Sequence, residues 1–484
     1  MPNRRAMALW GLVLGSSLAW AAWAQGRPVE GAEEPRGRPR EGPAHQMVSL
    51  GAAPALDLVL GRPGPDRVLL SLFAREALSG LQLWRAEGEA PLRAEGVALA
   101  LAAGEVKPLT LSGLKPNQRY RVELRRGGQT LATAQWHTAR PAGQAFAFTI
   151  SADSHLDQNT DAAQYQRSLA AVRALGPDFH IDLGDTFMVD KHSDRAAAEQ
   201  QYLAQRQAFS QLGLPLFLVL GNHDGEDRKL LKQGADSLGL WAHQRRQHYF
   251  PNPEPDGFYS GIAQPDPLTG APLRDHYAWT WGDALFVVLN PYWHAPPQAP
   301  GGGRGRRAEE RWQLSLGEAQ YRWLRQTLEG SRARHKFVFV HQLIGGRDRQ
   351  GRGGVEAAGF GEWGGLNADG SPGLAQQRPG WPEALHPLFV RTGVTAVFKG
   401  HDHLYALQRR DGIVYQTVPQ PGHGEGGPDP ADYGYTEGLL RNSGGLLRVS
   451  VRPDGLDLDY LGTGSPGAPR LLHRETLSTP ERRP

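Results

Sequence analysis

Five short apolar runs in this chain each stop at a residue type that binds metal, and this arrangement limits the fold before anything else does. Residues 145–151 run into Asp153, Ser154 and His155; residues 179–183 run into Gly184 and Asp185. Residues 214–220 run into Gly221, Asn222, His223 and Asp224. Residues 336–340 stop at His341, and residues 394–398 stop just before Gly400, His401, Asp402 and His403. Short β-rich runs of this kind are predicted to be buried strands. Open α/β sheets bind ligands in the crevice outside the carboxyl ends of their strands. Carboxylates, imidazoles and an amide gathered at one such edge, with no thiolate, describe a metal site suited to hydrolysis.

The N-terminus carries a different signal. Met1 to Arg5 is short and basic, residues 6–21 are uncharged and mostly apolar, and Ala22-Trp23-Ala24 is a small-residue cleavage pattern. This predicts a signal peptide over residues 1–24, a mature chain beginning at Gln25, and a periplasmic or extracellular location. The apolar run is too weak for a stable membrane anchor. Arg4-Arg5 leaves general secretion and twin-arginine export both open. The chain has no cysteine, so an exported form gains nothing from disulfides and depends on its core and on metal. A formal charge of +3 over 484 residues gives no bulk attraction to nucleic acid.

Residues 25–46, rich in Gly, Pro, Arg and Glu, read as a disordered linker. Over residues 47–140 the pattern changes to short alternating strands, at 67–73, 80–84, 120–124 and 133–137, which suits a small all-β sandwich. Residues 145–463 then alternate strands with helices, the latter predicted at 162–175, 193–211, 316–328 and 382–391. Strands follow at 413–418, 445–451 and 456–461, and residues 464–484 read as a polar tail. The stretch between Asp224 and Lys336 is a long insertion, in which residues 249–259 are a candidate lid.

The five pieces together resemble the signature of the calcineurin-like metallophosphoesterases. The segment Leu114-Lys-Pro116 to Tyr120, with Trp136-His-Thr138, is similar to the tyrosine corner and last strand of fibronectin type III domains. That pairing of domains resembles purple acid phosphatases. The resemblance implies a four-layer αββα metallophosphoesterase sandwich, preceded by the small all-β sandwich. It implies two divalent metal ions: Asp153, His155 and His403 on the first, Asn222, His341 and His401 on the second, and Asp185 bridging both. Such ligands suit Mn, Fe or Zn. The implied activity is hydrolysis of phosphomonoesters or phosphodiesters by a metal-bridging hydroxide, with His223 as catalytic proton donor to the leaving group.

One position departs from the relatives in two ways. Where many have an Asp that orients the catalytic His, and purple phosphatases a metal-binding Tyr, this chain has Met188. Asp190 and Asp224 are the candidates left to orient His223, and Asp402 is a candidate to hydrogen-bond a neighbouring imidazole. His180 and Asp182 read as network residues inside a strand, and residues 292–294 and His423 as possible borders of a pocket. A small phosphoester is the expected partner, with no nucleic acid and no membrane. The competing readings are an inert extracellular binding protein and a metal-dependent nuclease on the same scaffold, which would want a basic, aromatic-bearing track.

Overall fold

A computed structural model describes residues 45–231, 236–296, 310–346, 352–424, 427, 429–442 and 444–478. The predicted signal peptide and nearly all of the predicted linker lie outside the described residues. Among the described residues no helix is long and apolar enough to cross a membrane.

Seven strands come first: β1 (Leu56–Gly61), β2 (Val68–Ala74), β3 (Leu78–Glu87), β4 (Arg93–Leu101), β5 (Val106–Leu111), β6 (Arg119–Arg126) and β7 (Gln129–His137). They form two antiparallel sheets, ordered β1-β2-β5 and β4-β3-β6-β7. Alternation decides which face is buried: Tyr120, Val122 and Leu124 of β6 point inward, between partly or fully exposed neighbours. These three share one core with Leu58, Leu60, Leu70 and Leu72 of the facing sheet. Tyr120 closes a corner, its hydroxyl accepting from the Lys115 N–H at 2.8 Å while its ring stacks on Trp136 at 5.5 Å. The sequence pattern found β2, β3, β6 and β7. It missed β1, β4 and β5, the last an edge strand that contains Pro108, where the missing N–H costs no ladder bond.

The second part runs β8 (Phe146–Ser151), α1 (Ala162–Leu175), β9 (Phe179–Asp182), α2 (Arg195–Ser210), β10 (Leu216–Leu218), α3 (Leu238–Tyr249), β11 (Tyr277–Trp281) and β12 (Ala284–Val288). It continues with α4 (Gly317–Gly330), β13 (His335–Phe339), α5 (Leu385–Thr392), β14 (Ala396–Lys399), β15 (Leu404–Arg410) and β16 (Ile413–Thr417). Four strands end it: β17 (Leu439–Asn442), β18 (Leu446–Arg452), β19 (Gly455–Gly462) and β20 (Arg470–Ser478). A six-stranded sheet has the order β10-β9-β8-β18-β19-β20, and a seven-stranded sheet the order β11-β12-β13-β14-β16-β15-β17. Phe148, Phe179, Phe286 and Phe339 fill the space between the sheets. Leu169 of α1 and Tyr202 and Phe209 of α2 cover the outside of the first sheet; Leu324 and Leu328 of α4 and Phe389 of α5 cover the second. The layers are therefore α, β, β, α. Strands buried on both faces show no alternation, which is why β8, β13 and β14 read as continuous apolar runs.

Helix ends follow local chemistry. The Asp161 carboxylate caps α1 by accepting from the Gln164 N–H at 2.9 Å, and Gly176 ends it in the left-handed region at φ 56°.

Three expectations need correction. Residues 470–478 are not tail: β20 pairs along its length with β19, held by main-chain bonds although its side chains are largely exposed. The insertion after Asp224 supplies α3, β11, β12 and α4, so much of it belongs to the domain's layers. Its residues 249–259 form no lid. Tyr259 is buried and donates to the Pro63 carbonyl at 2.6 Å, while Arg62 and Arg67 of the first sandwich pair with Glu254 and Asp256.

The two domains also share a core, in which Val59 and Phe73 meet Tyr202, Phe209 and Tyr249. Arg206 of α2, fully buried, donates to the carbonyls of Ser71 and Tyr249. Tyr120→Phe should lower the stability of the sandwich by about 1 kcal/mol, because the Lys115 N–H loses its acceptor. Denaturant titration followed by tryptophan fluorescence checks this; an unchanged midpoint would remove the corner from the stability account.

Candidate metal centre

The parallel neighbours β8, β9 and β10 deliver Asp153, Asp185 and Asn222 side by side, and β13 and β14 deliver His341 and His401 from the facing sheet. The loops that carry them are stitched together. Asp153 N–H donates to Gly184 O at 2.9 Å, His155 N–H to Asp185 O at 3.2 Å, and His401 N–H to the Asp153 carboxylate at 2.9 Å. Gly221 is required by this closeness, since a side chain there would collide with the backbone and carboxylate of Asp185. Asp153, His155, Asp185, His401 and His403 all lie at positive φ, between 49° and 73°. Asp and His tolerate that region better than most residues, yet each such position still stores strain on the order of 1 kcal/mol or more.

Two clusters result: Asp153, His155 and His403, and Asp185, His341 and His401. Nε2 of His403 is 3.5 Å from Asp153 Oδ1. Asp185 Oδ2 stands 3.9 Å from His155 Nε2 and 3.3 Å from His341 Nε2, so one carboxylate reaches both clusters. Asn222 sits between Gly221 and His223, both of which touch Asp185. Among the described residues, His155 Nε2, His341 Nε2, His401 Nε2 and Asn222 Oδ1 are buried with no hydrogen-bond partner. Buried polar atoms rarely lack one, and four together with two carboxylates fit a pair of cations. His341 Nδ1 donates to the Leu183 carbonyl at 2.8 Å, which leaves Nε2 as the free electron pair.

His223 is positioned by Asp190. Nδ1 of His223 lies 2.9 Å and 3.1 Å from the two carboxylate oxygens of Asp190, across the turn where Met188 adopts φ 48°. Asp224 does not orient His223. Its carboxylate accepts from the N–H groups of Asp185, Thr186, Phe187 and Gly221, at 2.7–3.0 Å, and so clasps two ligand loops. Asp402 bonds no imidazole; it faces buried Lys399, the Tyr435 hydroxyl at 2.5 Å and Arg352 at 3.1 Å. His180 lies in a network with Thr149 and Ser151, to which Asp182 also belongs.

A cleft of about 570 Å³ opens on this edge, lined by His155, His403, His223, Lys191, Gln420 and His423 among others. His423 therefore borders it as expected. Tyr292, Trp293 and His294 are not in its described lining; Tyr292 is buried, its ring 6.4 Å from that of His341. Sequence reading missed the supports: Gln201 donates to His155 O and Thr186 O, Gln205 to Ser154 Oγ and Thr186 O, and Asp157 faces His155 Nδ1 at 3.5 Å. The one available signal was two glutamines four residues apart on the buried face of α2.

The electrostatics follow from burial against close opposite charges. Burial opposes the charged form of His341, yet Asp185 and Asp153 push it up to about 9. Burial likewise opposes ionisation of Asp185, but His341 and His223 hold it well below the usual carboxylate range. Burial, with Asp185 next, raises Asp224 to about 6, and burial raises Asp182 to about 7. Burial followed by Arg352 holds His401 well below the usual imidazole range.

No curated protein matches the chain. Among solved structures, PhoD is similar over 89% of this chain and 91% of its own, with 14% identity and a TM-score of 0.61. A dimetal phosphatase from Danio rerio is similar over 69% of this chain and 99% of its own, with 14% identity and a TM-score of 0.40. At this identity the likeness to PhoD speaks to the fold alone. The profile of the calcineurin-like phosphoesterases matches residues 146–405, more than half the chain and the whole of the ligand-bearing edge. The chain belongs to the calcineurin-like phosphoesterase family.

Proposed function

We propose that this chain is an exported phosphoesterase that hydrolyses small hydrophilic phosphoesters with two divalent ions. The family membership makes it a metal-dependent phosphoesterase. What carries the finer reading is one strand edge at which four buried ligand atoms lack partners beside a shared carboxylate. Two ions held by Asp153, His155 and His403, by Asn222, His341 and His401, and by Asp185 between them would activate a solvent nucleophile and neutralise phosphoryl oxygens.

The chain's own groups do the rest. With Nδ1 of His223 bonded to Asp190, Nε2 is left to face the leaving oxygen and deliver a proton to it. Asp224, through four backbone N–H groups, keeps Asp185 and Asn222 in register. Among the described residues the cleft wall is imidazole, amide, ammonium, carboxylate and glycine, with Met188 its only large apolar side chain. Among the described residues that wall offers no Phe, Tyr or Trp ring for a base to stack on and no apolar slot for an acyl chain, which favours a small hydrophilic leaving group over a nucleic acid strand. An inert binding protein would be expected to have lost ligands, and all seven positions are filled. The Tyr120 corner supports a fibronectin type III-like reading of the first domain.

Asp185→Asn should remove most bound metal and nearly all hydrolysis, since both clusters share that carboxylate. Metal analysis beside assays on phosphomonoesters, phosphodiesters and nucleotides checks this; normal metal content with normal turnover would overturn the assignment. His223→Ala should keep both metals and lose about 10²- to 10⁴-fold in rate, most for alkyl esters and least for nitrophenyl esters. Asp190→Asn should give the same leaving-group pattern with a smaller loss. Equal losses across leaving groups would take His223 out of the donor role.

Export rests on the basic, apolar and small-residue order of residues 1–24. N-terminal sequencing of the native protein should find Gln25 first, on material outside the cytoplasm. Met1 on cytoplasmic protein would contradict it.

A further inference from the structure

The loop that follows β16 presents an imidazole whose function the metal pair does not explain. His423 lines the cleft together with His155, His403 and His223. Its ring meets that of His155 edge-on, with centroids 6.3 Å apart. The first cluster already has Asp153, His155 and His403, with Asp185 within reach, so it does not need His423 as a ligand.

The loop itself is held unusually firmly. Gln164 donates to His423 O at 2.6 Å, Ser168 to Pro421 O at 2.6 Å, and Asp161 N–H to Gly422 O at 2.8 Å. Gly445 N–H donates to Gln420 O at 3.0 Å, and the Gln420 amide donates to Asp153 O at 3.1 Å. Gly422 lies so close to α1 that a Cβ there would stand 2.7 Å from Thr160 Cγ2 and 3.2 Å from Tyr165 Cβ. All but the last of these bonds fix the loop's backbone. Among the described residues, Nδ1 of His423 is buried with no partner. His423 is thus placed by the main chain of its loop at the cleft wall beside His155, where its imidazole can meet a ligand.

We propose that His423 is a substrate-contacting residue that hydrogen-bonds the phosphoryl group at the Asp153–His155–His403 end of the cleft. His223, next to Asn222, serves the other end, on the leaving-group side. An imidazole N–H placed beside the first cluster holds a non-bridging phosphoryl oxygen in ground state and transition state alike. It therefore acts chiefly on substrate affinity.

The inference rests on the phosphoesterase reading of the site, and the test separates the two. Metal-loaded wild type, His423→Ala and His423→Gln are compared for inorganic phosphate binding by calorimetry, for metal content, and for KM and kcat on one phosphoester. Wild type should bind phosphate and retain two metals. His423→Ala should also retain two metals, weaken phosphate binding and raise KM by about 10- to 100-fold each, and change kcat much less. His423→Gln, which can still donate, should recover part of the loss. If wild type neither binds phosphate nor turns over, the phosphoesterase reading itself fails. If wild type binds and His423→Ala binds equally well, or loses a metal ion instead, His423 is not a substrate contact and this inference is overturned.

Discussion

Asp224 accepts four backbone N–H groups, three from the Asp185 loop and one from Gly221, and the geometry of the centre hangs on that clasp. A buried carboxylate is stable only when its oxygens are well bonded, and here the donors are the main chains of two ligand loops. The clasp therefore fixes Asp185 and Asn222 relative to each other before any ion arrives. Gly184 and Gly221 make the approach sterically possible, since a side chain at either would collide with the opposing loop. Removing Asp224 would release two loops together, which distinguishes it from a residue that merely lines the site.

The remaining ligands are placed by similar means, at a cost in backbone strain. Four of them, Asp153, His155, His401 and His403, adopt positive φ within a few residues of a strand end. This turns each side chain back over the end of its own sheet, where the two sheets' edges meet. The strain is stored because helices behind the loops hold them: Gln201 and Gln205 of α2 reach His155, Ser154 and Thr186. The same helix, through Arg206, grips β2 of the first sandwich. The sandwich thus braces the helix that braces the ligand loops, which gives the N-terminal domain a mechanical reason to be packed there.

The candidate ligands were legible in the sequence because each follows a short apolar run, and glycine precedes Asp185, Asn222 and His401 where loops cross. Helix α1 was legible to the residue from its helical period over residues 162–175. Asp190 as the partner of His223 was not, because spacing leaves Asp190 and Asp224 equal. A left-handed Met188 decides between them. Asp402 faces Lys399, Tyr435 and Arg352, residues from three separate stretches that nothing in the local sequence connects. β20 escaped for another reason. Its side chains are mostly exposed and polar, so only main-chain pairing makes it a strand.

The central claim is that seven side chains hold two ions that share Asp185. Crystals grown with Mn²⁺ and measured at the manganese absorption edge test it most directly. The account predicts two anomalous peaks about 3.5–4 Å apart, with Asp185 touching both, His155 and His403 on one, and Asn222, His341 and His401 on the other. A single peak, or a pair that leaves Asp185 uncoordinated, would contradict it.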